Sequence, residues 1–304
     1  MLVNDPNENR PRAVVVGDVM TDVVVRLEED FAPDSDTNAT ITTAAGGSGS
    51  NVAVFLARGG VASALTGAVG DDERGRALVT AIVREGVAPH ITIVPGTHTG
   101  TVISVISRSG RRSMLTDRGA NRFLDGARLP VELFRAPGHL HLSGYELIDE
   151  ETRSEAKAIF ARAGASSMTR SVDCSSAAPL REMGAQAFFE ATAGADALFA
   201  NSEEVDVLTG STEPEGFSPA LAARYAISLV TLGSRGVCLV SGATDAVVVP
   251  PRDVPIVDTT GAGDAFTGAF LASWLRDGDP SQAIGSGLDA SASVVQTLGA
   301  RPAF

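Results

Sequence analysis

The chain has 304 residues, 44% of them hydrophobic, and a net charge of −13. No apolar stretch approaches the ~20 residues of a membrane span, and no signal peptide is expected at its start. The excess of acid argues against a nucleic-acid or anionic-membrane surface. Lys157 is the only lysine, so there is no G-x-x-x-x-G-K-[ST] loop, and any phosphate must be met by backbone amides, arginines or a metal. Cys174 and Cys238 are isolated in apolar contexts and read as buried thiols, which suits a cytoplasmic protein.

Met1–Arg12 is polar and reads as a loose tail, leaving 13–304 as the folded unit. Ala13–Val16 is a β-branched run ended by Gly17, a first buried strand, and Val23–Leu27 is a second. Asp18 and Asp22 stand where open α/β sheets face their ligands, although turn formation explains a Gly-Asp pair equally well. Thr40–Thr43 reads as a short strand leading through Gly46 and Gly47 to Asn51 and a helix over Val52–Arg58. The paired glycines permit a tight turn and close approach of a ligand, and Asn51 offers a hydroxyl both donor and acceptor. A flexible Gly/Ser loop is the alternative.

Ser63–Val69 is a strand and Glu73–Glu85 an amphipathic helix. From Ile91 to Asp117 strands follow one another without helices: Ile91–Val94, Thr101–Ser107 and Ser113–Thr116, with turns at Pro95-Gly96 and Ser109-Gly110. Such a meander inside an alternating chain points to a separate small sheet. With residues near 18–25 and 38–43, the segment 91–117 forms a lid that excludes water. Arg118, Asn121 and Arg122 at its end reach either substrate or solvent.

His139 and His141 share one face of a strand, but no third ligand completes a metal set, so they read as ordinary strand residues. Ser143 to Glu146 close that strand. Helix Asp149–Ala163, strand Arg170–Cys174, helix Ala178–Ala191 and strand Ala195–Ala200 then give the βαβ rhythm of a parallel sheet. Asn201 or Ser202 as cap, with Glu204 as the reciprocal acid, reads as a capping box opening Val205–Thr209. Ala226–Val230 and Val237–Ser241 make a hairpin in which Gly236 turns the chain, and Arg235 at its tip meets either a phosphate or solvent.

The segment 258–264 (Asp-Thr-Thr-Gly-Ala-Gly-Asp) opens a helix over Ala265–Leu275. The N–H groups of Gly261, Ala262 and Gly263, added to the helix dipole, suit an anion. Asp264 beside them either caps the helix or takes a proton from a hydroxyl that attacks that anion. Pro280–Leu298 is a terminal helix capped by Gly299.

Four of these stretches, in order, resemble the PfkB (ribokinase-like) family of carbohydrate and nucleoside kinases: Gly46 to Asn51, Asn201 to Glu204, Thr231 to Gly236 and Asp258 to Phe270. The likeness spans Val14 to Ala300. It implies a ribokinase-like α/β/α sandwich with a mostly parallel sheet and a β lid, and ATP-dependent phosphorylation of a hydroxyl, expected to be primary, on a small sugar. By this resemblance Asp264 is the catalytic base, and the amides of Gly261, Ala262 and Gly263 form the anion hole. Asp18, Asp22, Gly46, Gly47, Asn51 and Tyr145 hold the acceptor. Asn201, Glu204, Thr231, Gly233, Ser234 and Gly236 lie at the nucleotide, with Glu204 ordering water around Mg2+. Asp258 and Thr260 fall where many members bind a monovalent cation such as K+.

Met20 stands where ribokinases tend to carry Asn, which disfavours ribose, and Ser48 stands where many members carry Lys, which disfavours a phosphorylated acceptor. Aromatic residues at 5% are scarce for a nucleobase platform, so a sugar is favoured. A nucleoside kinase and a non-catalytic sugar- or nucleotide-binding relative are the alternatives. If the lid strands expose an apolar face, a homodimer through them is expected.

Overall fold

Val14 and Val16 point to one side of the first strand and Ala13 and Val15 to the other, and all four are buried. A strand buried on both faces belongs in the middle of a layered α/β protein. The structure, a computed structural model, describes residues 10–109, 111–242 and 245–301. Met1–Asn9 of the expected tail and Gly110 of the expected turn lie outside the described residues. In chain order the strands are β1 Arg12–Val16, β2 Met20–Leu27, β3 Ala39–Gly46, β4 Ala62–Gly70, β5 Ala88–Val94, β6 Thr101–Ile106, β7 Arg112–Asp117, β8 His139–Leu142, β9 Thr169–Asp173, β10 Ala197–Asn201, β11 Ile227–Thr231, β12 Val237–Ser241 and β13 Asp245–Val249.

Nine strands form the larger sheet in the order β13-β12-β11-β10-β9-β8-β1-β4-β5. Every pairing in it is parallel except the two at the β12 and β13 end. Helices cover both faces. On one side Phe160, Leu208 and Leu221 pack with Leu140 and Val172. On the other, Leu56, Ile82, Phe266, Phe270 and Ile284 pack with Val15 and Leu229. Phe266 and Phe270 of the helix Ala262–Asp277 are almost fully buried. At about 1.5–3 kcal/mol for each buried large side chain, they fix the start of that helix over the crevice.

The smaller sheet runs β3-β2-β6-β7. Its register puts Asp22, Val102 and Thr116 in one row, and these residues face the crevice. Val23, Ile103 and Leu115 form a row on the opposite face.

Three expectations change. Residues 91–94 do not join the lid: β5 pairs parallel with β4 at the edge of the larger sheet. Its half-exposed alternation, which reads as a lid strand, comes from the edge position. The helix predicted over Val52–Arg58 begins at Ser48, because Gly49 lets its first turn approach Gly17 more closely than a Cβ would allow. The helix predicted over Ala178–Ala191 is two, broken at Gly184, whose φ is 86°. No helix among the described residues is long and apolar enough to cross a membrane.

Candidate active site

Strands β1, β8, β9, β10 and β11 end at one edge of the larger sheet, the position where open α/β sheets bind ligands. A cavity of about 730 Å³ opens there beneath the lid. Among the residues singled out in the sequence, Asp18, Asp22, Gly47, Asn51, Tyr145, Asn201, Glu204, Thr231, Thr260, Gly261, Gly263 and Asp264 all line it.

Asp264 sits in the first turn of the helix Ala262–Asp277 and keeps surface on the cavity. Its Oδ1 accepts a hydrogen bond from Ser48 Oγ at 2.8 Å, and its Oδ2 accepts one from Asn51 Nδ2 at 2.7 Å. Burial pushes its carboxyl up to about 7, against the lowering effect of the Asn51 bond and with the charge of Asp173 adding to the rise. A base acting near neutrality is best served by such a value.

Gly261 holds φ 74°, and a Cβ there would lie 2.4 Å from Ala300 Cβ, so only glycine lets the turn pack. Gly261 and Gly263 face the cavity, but Ala262 does not, and its amide donates to Thr259 O at 3.3 Å. Of the three amides expected to form an anion hole, that of Ala262 is thus engaged in the turn, while Gly261 and Gly263 border the cavity.

Among the residues expected to hold the acceptor, Asp18 Oδ1 accepts from Gly49 N at 3.3 Å, and burial raises its carboxyl despite Arg118. Burial and the charge of Asp18 push Asp22 up to about 6. Gly46 lies outside the cavity lining and makes room for Asp22: a Cβ at 46 would lie 2.2 Å from its carboxylate. Tyr145 borders the cavity, and burial raises its hydroxyl pKa.

Asn201 and Glu204 make the capping box: Asn201 Oδ1 accepts from Glu204 N, and Glu204 Oε2 accepts from Asn201 N, both at 2.9 Å. Glu204 Oε1 accepts from Asn201 Nδ2 at 2.7 Å, and burial pushes its carboxyl up to about 7. Glu204 borders the cavity, and a carboxylate oxygen can accept more than the one bond each makes here, which fits holding the waters of a Mg2+ ion. Thr231 pairs in register with Asn201. Gly233 and Ser234 are exposed beyond the end of β11, and with Gly236 they lie outside the cavity lining.

Asp258 and Thr260 are already engaged. Asp258 Oδ1 accepts from Thr260 N at 3.0 Å and Thr260 Oγ1 at 2.7 Å, and Oδ2 accepts from Gly299 N at 3.1 Å. Burial tends to raise the Asp258 carboxyl, but the bonds from Gly299 and Thr260 hold it below the usual range. Arg112, reaching from lid strand β7, donates to Thr260 Oγ1 at 2.5 Å and stands 3.7 Å from Asp258. These two side chains do not fit a monovalent cation while the guanidinium is there.

Arg301, Asp173 and Ser175 carried no sequence signal, whereas Arg118, Asn121, Arg122 and Arg235 were singled out with their roles open. Arg301 donates to Asn51 Oδ1, Gly46 O and Ser50 Oγ, one residue past the last recognisable pattern. Asp173 and Ser175 line the cavity from the end of β9. Arg118 borders the cavity and pairs with Glu146 and Asp149. Arg122 and Arg235 form exposed pairs with Glu151 and Glu213. Asn121 is buried and brackets Val19, accepting from its N–H and donating to its C=O.

A carboxylate poised near neutrality beside unoccupied amides at a helix start, under a β lid, is the arrangement of a phosphotransferase acting on a hydroxyl. The chain belongs to the pfkB family of carbohydrate kinases, whose family model matches residues 10–303, and it is a sugar or nucleoside kinase of that family. An ATP-dependent ribose-1-phosphate kinase from Halopiger xanaduensis is 33% identical over 90% of this chain and 88% of its own. The fructokinase from Vibrio cholerae O395, solved with fructose, ADP and calcium, superposes with a TM-score of 0.81 at 26% identity over 95% of this chain and 94% of its own. Adenosine kinase from Sinorhizobium meliloti shares the fold, with a TM-score of 0.87 at 23% identity over 96% of each chain.

Proposed function

We propose that this chain transfers the γ-phosphoryl group of ATP to a hydroxyl, primary by expectation, of a small sugar. The observation that carries the reading is Asp264, oriented by Ser48 and Asn51 and facing the same cavity as the Gly261 and Gly263 turn. Asp18, Asp22, Gly47 and Asn51 hold the acceptor hydroxyls, and Asp264 removes the proton of the attacking one. The amides of Gly261 and Gly263 take up the charge gathering on the phosphoryl oxygens. Positioning and electrostatics suffice for such a transfer. Asn201, Glu204 and Thr231 face the polyphosphate, with Gly233, Ser234 and Gly236 flanking the rest of the nucleotide. Glu204 would hold Mg2+ through water, and that ion neutralises phosphate charge when bound. The Vibrio cholerae relative, solved with fructose, ADP and calcium, supports a sugar and a nucleotide as the two substrates.

A nucleoside is the second reading, because Tyr145 borders the cavity and an aromatic side chain there suits a base. Two arginines, Arg112 and Arg118, also border it, so a phosphorylated acceptor such as ribose 1-phosphate belongs in any panel despite Ser48. ATP consumption over sugars, sugar phosphates and nucleosides tests the reading. Turnover with a sugar supports it, turnover with nucleosides alone shifts it to the second, and no turnover with any acceptor overturns it.

The outer lid face carries Val23, Val25, Ile41, Ile103, Val105 and Leu115, with Ile41 and Leu115 at 62% and 60% exposed. This apolar row supports a homodimer through the lid; a monomer mass by light scattering at working concentration would reject it. The buried, unpaired thiols of Cys174 and Cys238 support a cytoplasmic location.

A further inference from the structure

A continuous chain of polar side chains runs through the otherwise apolar layer beneath the cleft. It starts at Thr169, at the exposed far end of β9. Thr169 Oγ1 lies 2.9 Å from His139 Nδ1, and His139 Nε2 lies 2.7 Å from Ser171 Oγ. Ser171 Oγ in turn lies 2.8 Å from His141 Nδ1, and His141 Nε2 lies 3.3 Å from Asp173 Oδ2. The pairing of β8 with β9 sets these residues opposite one another on one face. His139, His141 and Ser171 are fully buried, and Trp274 and Phe199 meet the two imidazoles edge-on. Burying so many polar groups is unfavourable unless each is paired, and valine or leucine would fill the layer without that demand.

The donor order follows from one end. An ionised Asp173 only accepts, so His141 Nε2 carries a proton and its Nδ1 accepts from Ser171. Ser171 then accepts from His139 Nε2–H, and His139 Nδ1 accepts from Thr169. Burial pushes His139 down to about 3, which keeps it neutral and able to accept. Every donor therefore points at the cleft.

At the cleft end, Asp173 Oδ1 accepts from Gly144 N at 3.2 Å and from Ser175 Oγ. Ser175 Oγ accepts from Tyr145 N at 3.1 Å. Ser175 holds φ 64°, a left-handed conformation unfavourable for a residue with a Cβ and one that tends to gather at functional sites.

We propose that Thr169, His139, Ser171, His141 and Asp173 form a positioning relay that holds Ser175 in its left-handed conformation and fixes the Gly144-Tyr145 backbone on the acceptor side of the cleft. The catalytic consequence rests on the functional reading above. The relay itself does not.

Two measurements on the full chain test it. Nitrogen-15 NMR of the imidazoles should find Nε2 carrying the proton and Nδ1 accepting on both histidines. A protonated Nδ1 on either would overturn the donor order, because a cationic His141 reverses every bond up to Thr169. In steady-state kinetics, His141→Phe should raise the acceptor KM about ten-fold with the ATP KM unchanged. His141→Gln, which keeps an N–H toward Asp173, should recover most of that loss. Should His141→Phe fail to fold, Ser171→Ala interrupts the same chain with little change of volume and is expected to move the acceptor KM in the same direction. Lower thermal stability with an unchanged acceptor KM would mean a merely structural role and would sink the proposal. Absence of turnover in the wild type with every acceptor would instead overturn the functional reading, and the imidazole spectra would still decide the relay.

Discussion

Arg301 Nε lies 2.6 Å from Asn51 Oδ1, across 250 residues of chain. A guanidinium only donates, so it settles which way the Asn51 amide faces and leaves Nδ2 to meet Asp264. Arg301→Ala should free that amide to turn. With a hydrogen bond to a charged group contributing about 1.5–3 kcal/mol, kcat/KM for the acceptor is expected to fall roughly 10- to 100-fold. Unchanged kinetics would show that Asn51 is held by other means.

Asp264→Asn should lower turnover by about 10²- to 10⁴-fold, the usual contribution of a general base. ATP binding measured by calorimetry should stay near the wild-type value, because the Gly261 and Gly263 amides are backbone groups. A variant with ordinary turnover would remove Asp264 from its proposed role.

With Asp264 raised to about 7, kcat/KM should fall about ten-fold per pH unit below that value. Stability should run the other way. Asp264 and Glu204 are raised to about 7 and Asp22 to about 6, so between roughly pH 4 and 7 the folded chain binds more protons than the unfolded one. Stability then declines as pH rises through that window, with the melting temperature highest near its lower end, about pH 4. Below about pH 4 the lowered carboxyls of Asp258 and Asp72 oppose this trend. Asp264→Asn should flatten part of the slope, and a melting curve as steep as the wild type's would contradict the assignment.

Exchanging K+ for choline at constant ionic strength should leave wild-type turnover unchanged, because the Arg112 guanidinium already stands beside Asp258 and Thr260. Arg112→Ala should lower turnover and make both rate and melting temperature respond to K+. Clear K+ stimulation of the wild type would show that a cation displaces or bypasses Arg112.

Removing divalent metal with EDTA should abolish turnover. Glu204→Gln should raise the Mg2+ concentration needed for half-maximal rate several-fold, leaving the helix cap largely in place through Asn201. A metal response identical to wild type would leave Glu204 with capping alone.

The parallel core was legible because Val14 and Val16 and their counterparts keep strand periodicity and both faces are apolar. The turn at Gly261 was legible because its chemistry is local: small residues, a helix start and one acid within four positions. Glu204 showed that a capping box and a cavity-facing carboxylate are compatible in one side chain. Arg301, Arg112 and Asp173 were silent because their meaning lies in contacts with residues far away in sequence, which no window along the chain reports. β5 misled because an edge strand of the main sheet and a lid strand expose the same alternation. Ala262 misled because a motif names a turn without saying which amides in it are already taken.

Gly261 rests against Ala300, and Asn51 is steered by Arg301. Residues 300 and 301 thus add to the direct bonds from Ser48 and Asn51 to Asp264 in bracing the two sides of the cavity. A variant lacking residues 299–301 would carry every recognisable motif and lose the props under Asp258, Gly261 and Asn51, so a short stretch without a motif of its own decides how well the others are aligned.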